Sequence, residues 1–281
     1  MSYERSVPGV AGPSCRYGAS TLPFRGPAVD RSAPHLVMIG SSEVVGRYVR
    51  SPMHAEVAEA LGLPVANLGV QNAGLDAFVD DDALLADAGA ATLAVLQVTS
   101  ATNLSNRLYT VHPRRNDRVL SQSDRMRLLF PEVDFSEFVF TRHMLIALRD
   151  RDPARFETVV AEMGTAWTAR MHLVLRRLAC PAVLLRIDGV GNDALGPDPL
   201  FVTDAMVEAA ALHARGVVRV DVAGLADDDQ LPEMAFEPAE IDAARAALPP
   251  VAHERVAAAV VRAVAPMLEG GAPRAGRRRM A

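Results

Sequence analysis

A serine-containing turn is the segment best suited to chemistry. Its sequence is Gly40-Ser41-Ser42-Glu43-Val44-Val45-Gly46, and it joins a short apolar run to a helical pattern. A hydroxyl in such a turn is exposed at the edge of a sheet, and the free backbone N–H groups at a helix start can stabilise an oxyanion. Ser41 and Ser42 are therefore candidate nucleophiles for acyl transfer.

Three further groups suited to the same chemistry follow other elements. Gly69 and Gly74 lie in the segment NLGVQNAG after the second predicted strand, where a glycine allows close approach and can offer its N–H. Asn103 follows the third strand, and His253 opens the last predicted helix. Ligand crevices of open α/β sheets lie beyond the carboxyl ends of the strands, so we expect these residues to line one crevice.

Alternating strands and helices must position these residues. Short apolar, β-branched runs predict strands at His35–Ile39, Val65–Asn67, Thr92–Val98, Ala182–Ile187 and Val217–Asp221. Helical periodicity predicts helices at Met53–Leu61, Asp76–Ala88, Ser121–Leu129, Ser136–Arg149, Pro153–Leu178, Asp204–Ala214, Pro238–Ala247 and His253–Leu268. This alternation predicts a three-layer α/β/α fold around a five-stranded parallel sheet in the order 2-1-3-4-5.

The third and fourth strands are separated by far more chain than a crossover needs. We therefore predict an insertion at about residues 103–179, which begins with a polar loop over 103–118 and continues into three helices. Because it starts at the carboxyl edge of the sheet, it is expected to act as a lid. Trp167, Met163, Met171 and Leu175 recur at helical spacing, which is typical of core packing.

The insertion is rich in groups that bind anions. Its candidate substrate-binding residues are Asn106, Arg107, His112, Arg114, Arg115, Arg118, Arg142 and His143. The planar guanidinium of arginine binds carboxylate, sulfate or phosphate in a bidentate manner. The alternative is that these arginines pair with nearby carboxylates, namely Asp117, Asp124, Glu132, Asp134 and Glu137, and thereby pin the insertion to the sheet.

The order of these motifs resembles the SGNH (GDSL-type) hydrolase superfamily of esterases, lipases and deacetylases. Gly40, Ser42 and Gly46 match the spacing of its first block, which implies that Ser42 is the nucleophile, although Ser41 stands where the family has Asp. Asn67 and Gly69 match the second block, which implies that Gly69 donates to the oxyanion.

The resemblance also assigns an asparagine and a histidine. Asn103 follows the third strand, as the family's asparagine does, whereas Asn192, within Gly-Asn-Asp after the fourth strand, copies the letters better; topology favours Asn103. His253 would be the base, but Pro250 stands where the family has its orienting Asp. Asp242 or Glu240 could take that part, or the pair could act as a Ser–His dyad.

A longer resemblance is to an uncharacterised family found mainly in alphaproteobacteria. Its insertion is similar to the run SNRLYTVHPRRNDR at residues 105–118 and to FVFTRH at 138–143. No activity follows from this resemblance. The family's association with sulfotransferase and polysaccharide genes implies a role in cell-surface glycan metabolism.

The amino-acid composition limits the remaining classes of mechanism, domain organisation and partner. The chain has 281 residues and a net charge of −5, and each of its 29 basic residues is arginine, so mechanisms that need a lysine amine are excluded. We expect an irregular arm at 1–34, a single domain at 35–268 and a basic, disordered tail at 269–281. Two cysteines and no apolar leader favour a cytoplasmic protein. We expect no cofactor, metal, nucleic-acid or membrane partner, and no oligomeric state follows.

Two functional hypotheses result. The first is an esterase, deacylase or acyl transferase acting on an acylated, anionic or glycan-type substrate. The second is a non-catalytic accessory protein of polysaccharide metabolism, which holds an anionic glycan or nucleotide through the arginine-rich insertion.

Overall fold

The central element is a parallel sheet of five strands. A computed structural model describes residues 13–190, 194–226 and 228–271. The strands are β1 Leu36–Gly40, β2 Val65–Gly69, β3 Leu93–Gln97, β4 Ala182–Asp188 and β5 Val217–Asp221. Their order is β2-β1-β3-β4-β5, and every neighbouring pair is parallel. The predicted α/β fold and strand order are confirmed.

Helices cover both faces of the sheet. They are α1 Ser42–Val45, α2 Met53–Leu61, α3 Asp76–Val79, α4 Asp82–Ala88, α5 Asp124–Leu129, α6 Thr141–Arg151, α7 Pro153–Arg177, α8 Asp204–Ala211, α9 Ile241–Arg245 and α10 Pro250–Gly271. Short 3₁₀ helices lie at Phe135–Glu137, Asp228–Glu233 and Pro238–Glu240. Successive residues of β1 alternate between two apolar cores, Val37 in one and Met38 in the other. This alternation explains why β1 is apolar throughout.

Several predicted helix boundaries were wrong. The predicted helix Asp76–Ala88 is two helices, because the Asp81 carboxylate accepts the Leu84 N–H and caps a new start. The last helix begins at Pro250, so His253 lies in its first turn rather than opening it. Trp167 is fully buried, as its spacing predicted.

The insertion contains a β-hairpin that the sequence did not predict. Tyr109–His112 pairs antiparallel with Arg115–Gln122, so the segment expected to be a polar loop is partly strand, and the predicted helix from Ser121 starts only at Asp124. Tyr109 and Asn116 are buried beneath the hairpin, whereas Arg114 and Arg115 are exposed at its turn.

The two ends of the chain also differ from expectation. Ser14–Cys15 pairs antiparallel with Phe24–Arg25, so the arm predicted to be irregular contains a small ribbon. Helix α10 continues to Gly271 within the predicted tail, and residues 272–281 lie outside the described residues. Among the described residues, no helix combines the length and apolarity needed to cross a bilayer.

Candidate active site

The turn that carries Ser42 is clamped by a glutamine from β3. Gln97 Oε1 accepts the Ser41 N–H at 2.8 Å, and Gln97 Nε2 donates to Glu43 Oε2 at 2.7 Å. A Cβ atom on Gly40 would lie 2.3 Å from Gln97 Oε1, so only glycine leaves room for this clamp. The clamp fixes the backbone on both sides of Ser42.

The Ser42 hydroxyl is surrounded by polar groups from the loop after β2. Its Oγ accepts the backbone N–H of Asn72 at 3.0 Å and the Gln71 side-chain amide at 2.9 Å, and it donates to Asn72 Oδ1 at 3.1 Å. Asn72 has a positive φ of 55°, which turns its N–H toward Ser42. The structure thus places Asn72, to which the sequence assigned no definite role, beside Ser42.

Asn103 braces the loop residue that contacts this hydroxyl. Asn103 Nδ2 donates to the Asn72 carbonyl oxygen at 3.0 Å, and Asn103 Oδ1 accepts from Thr141 Oγ1 at 2.7 Å. The Ser42 N–H, at the first position of α1, has no acceptor among the described residues. The Asn72 N–H is bound to Ser42 Oγ and the Asn103 amide to the Asn72 carbonyl oxygen, so among these groups the Ser42 N–H is left without an acceptor in the described residues. Asn103 and Ser42 line one cavity, and Asn192 is outside the described residues.

The glycines predicted to serve the oxyanion have other partners. The Gly69 N–H donates to Asn67 Oδ1 at 2.8 Å, and a Cβ atom there would lie 2.6 Å from Val45 N, so this glycine lets α1 pack on β2. The Gly74 N–H donates to Asn116 Oδ1 at 2.9 Å. In this structure neither glycine N–H is directed to Ser42, contrary to the prediction that Gly69, or Gly74 in its place, donates to the oxyanion, and the N–H that contacts Ser42 Oγ is that of Asn72.

His253 does not contact Ser42 in this structure. It is fully buried, and its Nδ1 accepts the backbone N–H of Met53 at 3.0 Å, which caps the start of α2. A neutral ring with Nδ1 as acceptor carries its proton on Nε2, and Nε2 has no partner among the described residues. Burial, together with the charges of Arg25 and His54, lowers the pKa of His253 to about 3.

This geometry contradicts the expectation that His253 takes the proton of Ser42. The two residues line one cavity of about 490 Å³, but the ring offers no lone pair there. The carboxylates considered as its orienting partners also lie elsewhere, since Glu240 pairs with Arg47 and the exposed Asp242 lies 3.7 Å from Arg245. His253 as placed is a structural residue that ties α10 to α2.

Ser42 opens onto a cavity of about 660 Å³ lined partly by the insertion. Three carboxylates line it, those of Glu43, Asp117 and Asp198, and burial raises the pKa of Glu43 above its ordinary value. Thr99 also lines the cavity, and its buried hydroxyl has no partner among the described residues. No group of three or more potential metal ligands occurs among the residues that the structure describes.

The predicted anion-binding residues divide into three sets. Arg142 and His143 line the Ser42 cavity, which agrees with the predicted lid. Arg114, Arg115 and Arg118 line a neighbouring cavity.

The remaining three residues have structural roles. Arg107 forms a bidentate pair with Glu162 of α7, so it joins two parts of the insertion to each other and does not pin the insertion to the sheet. Asn106 Oδ1 accepts the Leu108 and Tyr109 N–H groups, and His112 Nδ1 accepts those at the hairpin turn. The prediction that Asn106, Arg107 and His112 bind substrate finds no support in these contacts.

Sequence reasoning missed the side chains that hold the site together. Gln97 was assigned only to a strand, and Gln71 and Glu43 were assigned no role. A usable signal was present, because a glutamine that ends the central strand and faces an obligate glycine on its neighbour has to find a polar partner. Thr141 gave no comparable signal.

Among solved structures, the chain is similar to three proteins. A salicylyl-acyltransferase from a tetracycline biosynthetic pathway is 14% identical with a TM-score of 0.38, and the alignment covers 88% of this chain and 58% of that protein. A putative G-D-S-L family lipolytic protein from Desulfitobacterium hafniense is 12% identical with a TM-score of 0.38, covering 82% and 99%. A catalytic mutant of an acetylxylan esterase from Geobacillus stearothermophilus is 15% identical with a TM-score of 0.39, covering 82% and 93%.

The family comparison is more extensive. No curated protein matches the sequence with significance. One family model matches residues 1–268, and its description is "Domain of unknown function (DUF6473)". The match spans the arm, the sheet, the insertion and nearly all of α10. The chain is therefore a member of the DUF6473 family.

Proposed function

We propose that this protein is an SGNH-like acyl hydrolase or acyl transferase with Ser42 as its nucleophile. The observation that carries the proposal is the Ser42 hydroxyl at a helix start, bound by the Asn72 N–H, with the Asn103 amide on the Asn72 carbonyl oxygen. In the proposed reaction the N–H groups of Ser42, Asn72 and the Asn103 amide turn to the substrate's carbonyl oxygen. Such donors stabilise the negative charge that develops on a carbonyl oxygen during acyl transfer. The proposed substrate is an acylated molecule of anionic or glycan type.

Attack by Ser42 requires an acceptor for its proton. Asn72 Oδ1, which the hydroxyl contacts, is an amide oxygen and is not basic enough. Glu43 lines both cavities that Ser42 lines, and its raised pKa makes the ionised carboxylate a stronger base than an exposed one. We therefore assign proton transfer to Glu43 through a water molecule.

The reaction then proceeds in two transfers. Ser42 Oγ bonds to the acyl carbon, its proton moves to Glu43, and the leaving group takes that proton as the tetrahedral intermediate collapses. Water or an acceptor hydroxyl then bonds to the acyl carbon and gives its proton to Glu43, which passes it to Ser42 Oγ as the bond between Ser42 and the acyl group breaks. Gln97 supports both transfers because it holds the N–H of Ser41 and the carboxylate of Glu43.

Turnover of aryl acetates and of acetylated sugars tests the proposal. Ser42→Ala should lower kcat/KM by about 10³-fold or more, because the covalent step is lost. Ser41→Ala is the matched control, since it removes the neighbouring hydroxyl but keeps the N–H that Gln97 binds. A Ser42→Ala variant as active as the native protein, or a loss confined to Ser41→Ala, would contradict the proposal.

A second candidate function rests on the position of His253. Because its Nδ1 is committed to the Met53 N–H, the serine lacks the histidine base of the SGNH pattern, and the donor pocket could hold a ligand carboxylate without reaction. This binding protein would show saturable binding of a carboxylate-bearing glycan with no turnover. Asn103→Ala would weaken that binding, whereas for the hydrolase it would mainly lower kcat.

A further inference from the structure

A second cavity lies beside the Ser42 cavity and has no role in the proposed reaction. Its volume is about 560 Å³, and its walls come from the arm, the loop after β2 and the hairpin of the insertion. Asn72 and Asp117 line both cavities, so these two residues form the partition. Asn72 Nδ2 donates to Asp117 Oδ2 at 3.3 Å across it.

The hairpin contributes three arginines to this cavity. Arg114, Arg115 and Arg118 all line it, and none of them forms an ion pair with any carboxylate in the described part of the chain. By contrast, two other arginines of the insertion are neutralised, Arg107 by Glu162 and Arg155 by Glu132. The pinning alternative therefore does not account for the arginines at the hairpin turn.

The wall opposite the hairpin adds a buried positive charge. Arg25, which is 6% exposed, donates to the carbonyl oxygens of Gly46 and, at 2.6 Å, of Val49, and it has no carboxylate partner within the described ranges. Burial lowers its pKa to about 10, so it remains charged at neutral pH. Asp117 is the one carboxylate among the residues described as lining the cavity.

We propose that this cavity binds an anionic group, a sulfate, phosphate or carboxylate, through the guanidinium groups of Arg114, Arg115 and Arg118. Guanidinium groups donate pairs of hydrogen bonds to the oxygens of such a group. The anion in turn supplies the negative charge that the cavity lacks. Because Asn72 separates the cavity from Ser42, a substrate could place its anion here and its acyl group at Ser42; this last step rests on the proposed function, whereas anion binding does not.

Calorimetric titration with sodium sulfate, sodium phosphate and sodium acetate, at ionic strength held constant with sodium chloride, tests the site. We expect saturable binding. A site for tetrahedral anions should bind sulfate and phosphate with higher affinity than acetate, and a site for carboxylates should show the reverse order of affinities. The double variant Arg114→Gln/Arg115→Gln should bind the preferred anion at least about tenfold more weakly, because charge-assisted hydrogen bonds are lost.

Three further variants separate a specific site from a general effect of charge. Arg125→Gln/Arg127→Gln on α5 removes the same charge from exposed positions outside the cavity and should leave the affinity unchanged. Asp117→Asn removes the one opposing charge and should strengthen binding. Ser42→Ala should bind like the native protein, so anion binding can succeed or fail separately from catalysis.

The opposite results would overturn the inference. They are no saturable binding of any of the three anions by the native protein, or an equal loss in the hairpin and α5 double variants. The second result would mean that the anions respond to net charge rather than to a site. Weaker anion binding by Asp117→Asn would also contradict the inference, because Asp117 is assigned as the charge that opposes the anion.

Discussion

At the scale of single residues, the proposed oxyanion pocket works with a base that differs from that of the SGNH pattern. Ser42 accepts the Asn72 N–H, and Asn103 braces the Asn72 carbonyl, while His253 is turned away to cap α2. Asn72 has a left-handed backbone conformation. The sequence had suggested the nearby Gly74 as a donor instead. Asparagine tolerates this conformation better than most residues, which is why it can stand there.

The pH dependence of kcat/KM identifies the base. Glu43 accepts a proton only when ionised, and burial raises its pKa above 4.5, so activity should fall as the pH drops through that raised pKa. Glu43→Gln should abolish this acidic limb and lower kcat. His253 has a pKa of about 3 and is neutral throughout, so no limb is expected near 6.5. A limb near 6.5 that disappears in His253→Asn would assign the base to His253 instead.

At the scale of elements, close backbone contacts hold the insertion against the sheet. A Cβ atom on Gly74 would lie 1.8 Å from the carbonyl oxygen of Asn103, and the Gly74 N–H is bound by Asn116 of the hairpin. The loop after β2, the loop after β3 and the hairpin therefore meet at one glycine. The position of the Asn103 amide depends on this contact.

Gly74→Ala tests that dependence. The methyl group forces the Asn103 backbone away, so we expect a loss of about 3 kcal/mol or more in the free energy of unfolding and, in the folded fraction, a lower kcat. Gly216→Ala is the control, because no atom lies within 4 Å of the added Cβ. Chemical denaturation and single-turnover kinetics would measure both effects. Equal stability of the two variants would show that the contact is unimportant.

The strands could be predicted from sequence, but the hairpin and the clamp could not. β1 to β5 are rich in apolar residues because both sheet faces are covered, and this produces a strong local signal. The hairpin residues Arg115–Gln122 are mostly polar, because one side faces solvent and the cavities, so they resemble a loop. Likewise, nothing local to His253 shows that its ring will cap α2, a helix that begins 200 residues earlier in the chain.

At the scale of the whole molecule, buried histidines make folding sensitive to acid. His253 and His54 are held neutral, with pKa values lowered by burial to about 3 and about 4, whereas in the unfolded chain they titrate near 6.5. The unfolded state therefore binds protons that the folded state does not, and this stabilising contribution is lost as the pH falls from 6.5 toward 3.

Denaturant unfolding at pH 7.0, 5.5 and 4.5 measures this effect. We expect the free energy of unfolding to fall across this range, where most carboxylates are still ionised. His253→Asn keeps an acceptor for the Met53 N–H but cannot titrate, so its dependence on pH should be shallower. Glu43, with its raised pKa, acts in the opposite direction and reduces the slope. If the free energy of unfolding depends equally on pH in the native protein and in His253→Asn, the lowered pKa of His253 does not contribute to the acid sensitivity.

The central claim is that Ser42 is a nucleophile in an oxyanion pocket. The most direct measurement is reaction of the native protein with a fluorophosphonate, followed by mass spectrometry of its peptides. We expect one adduct, on Ser42, that is retained in Ser41→Ala, absent in Ser42→Ala and slowed in Glu43→Gln and Asn103→Ala. If the protein forms no adduct, or forms it at another residue, Ser42 is not the nucleophile.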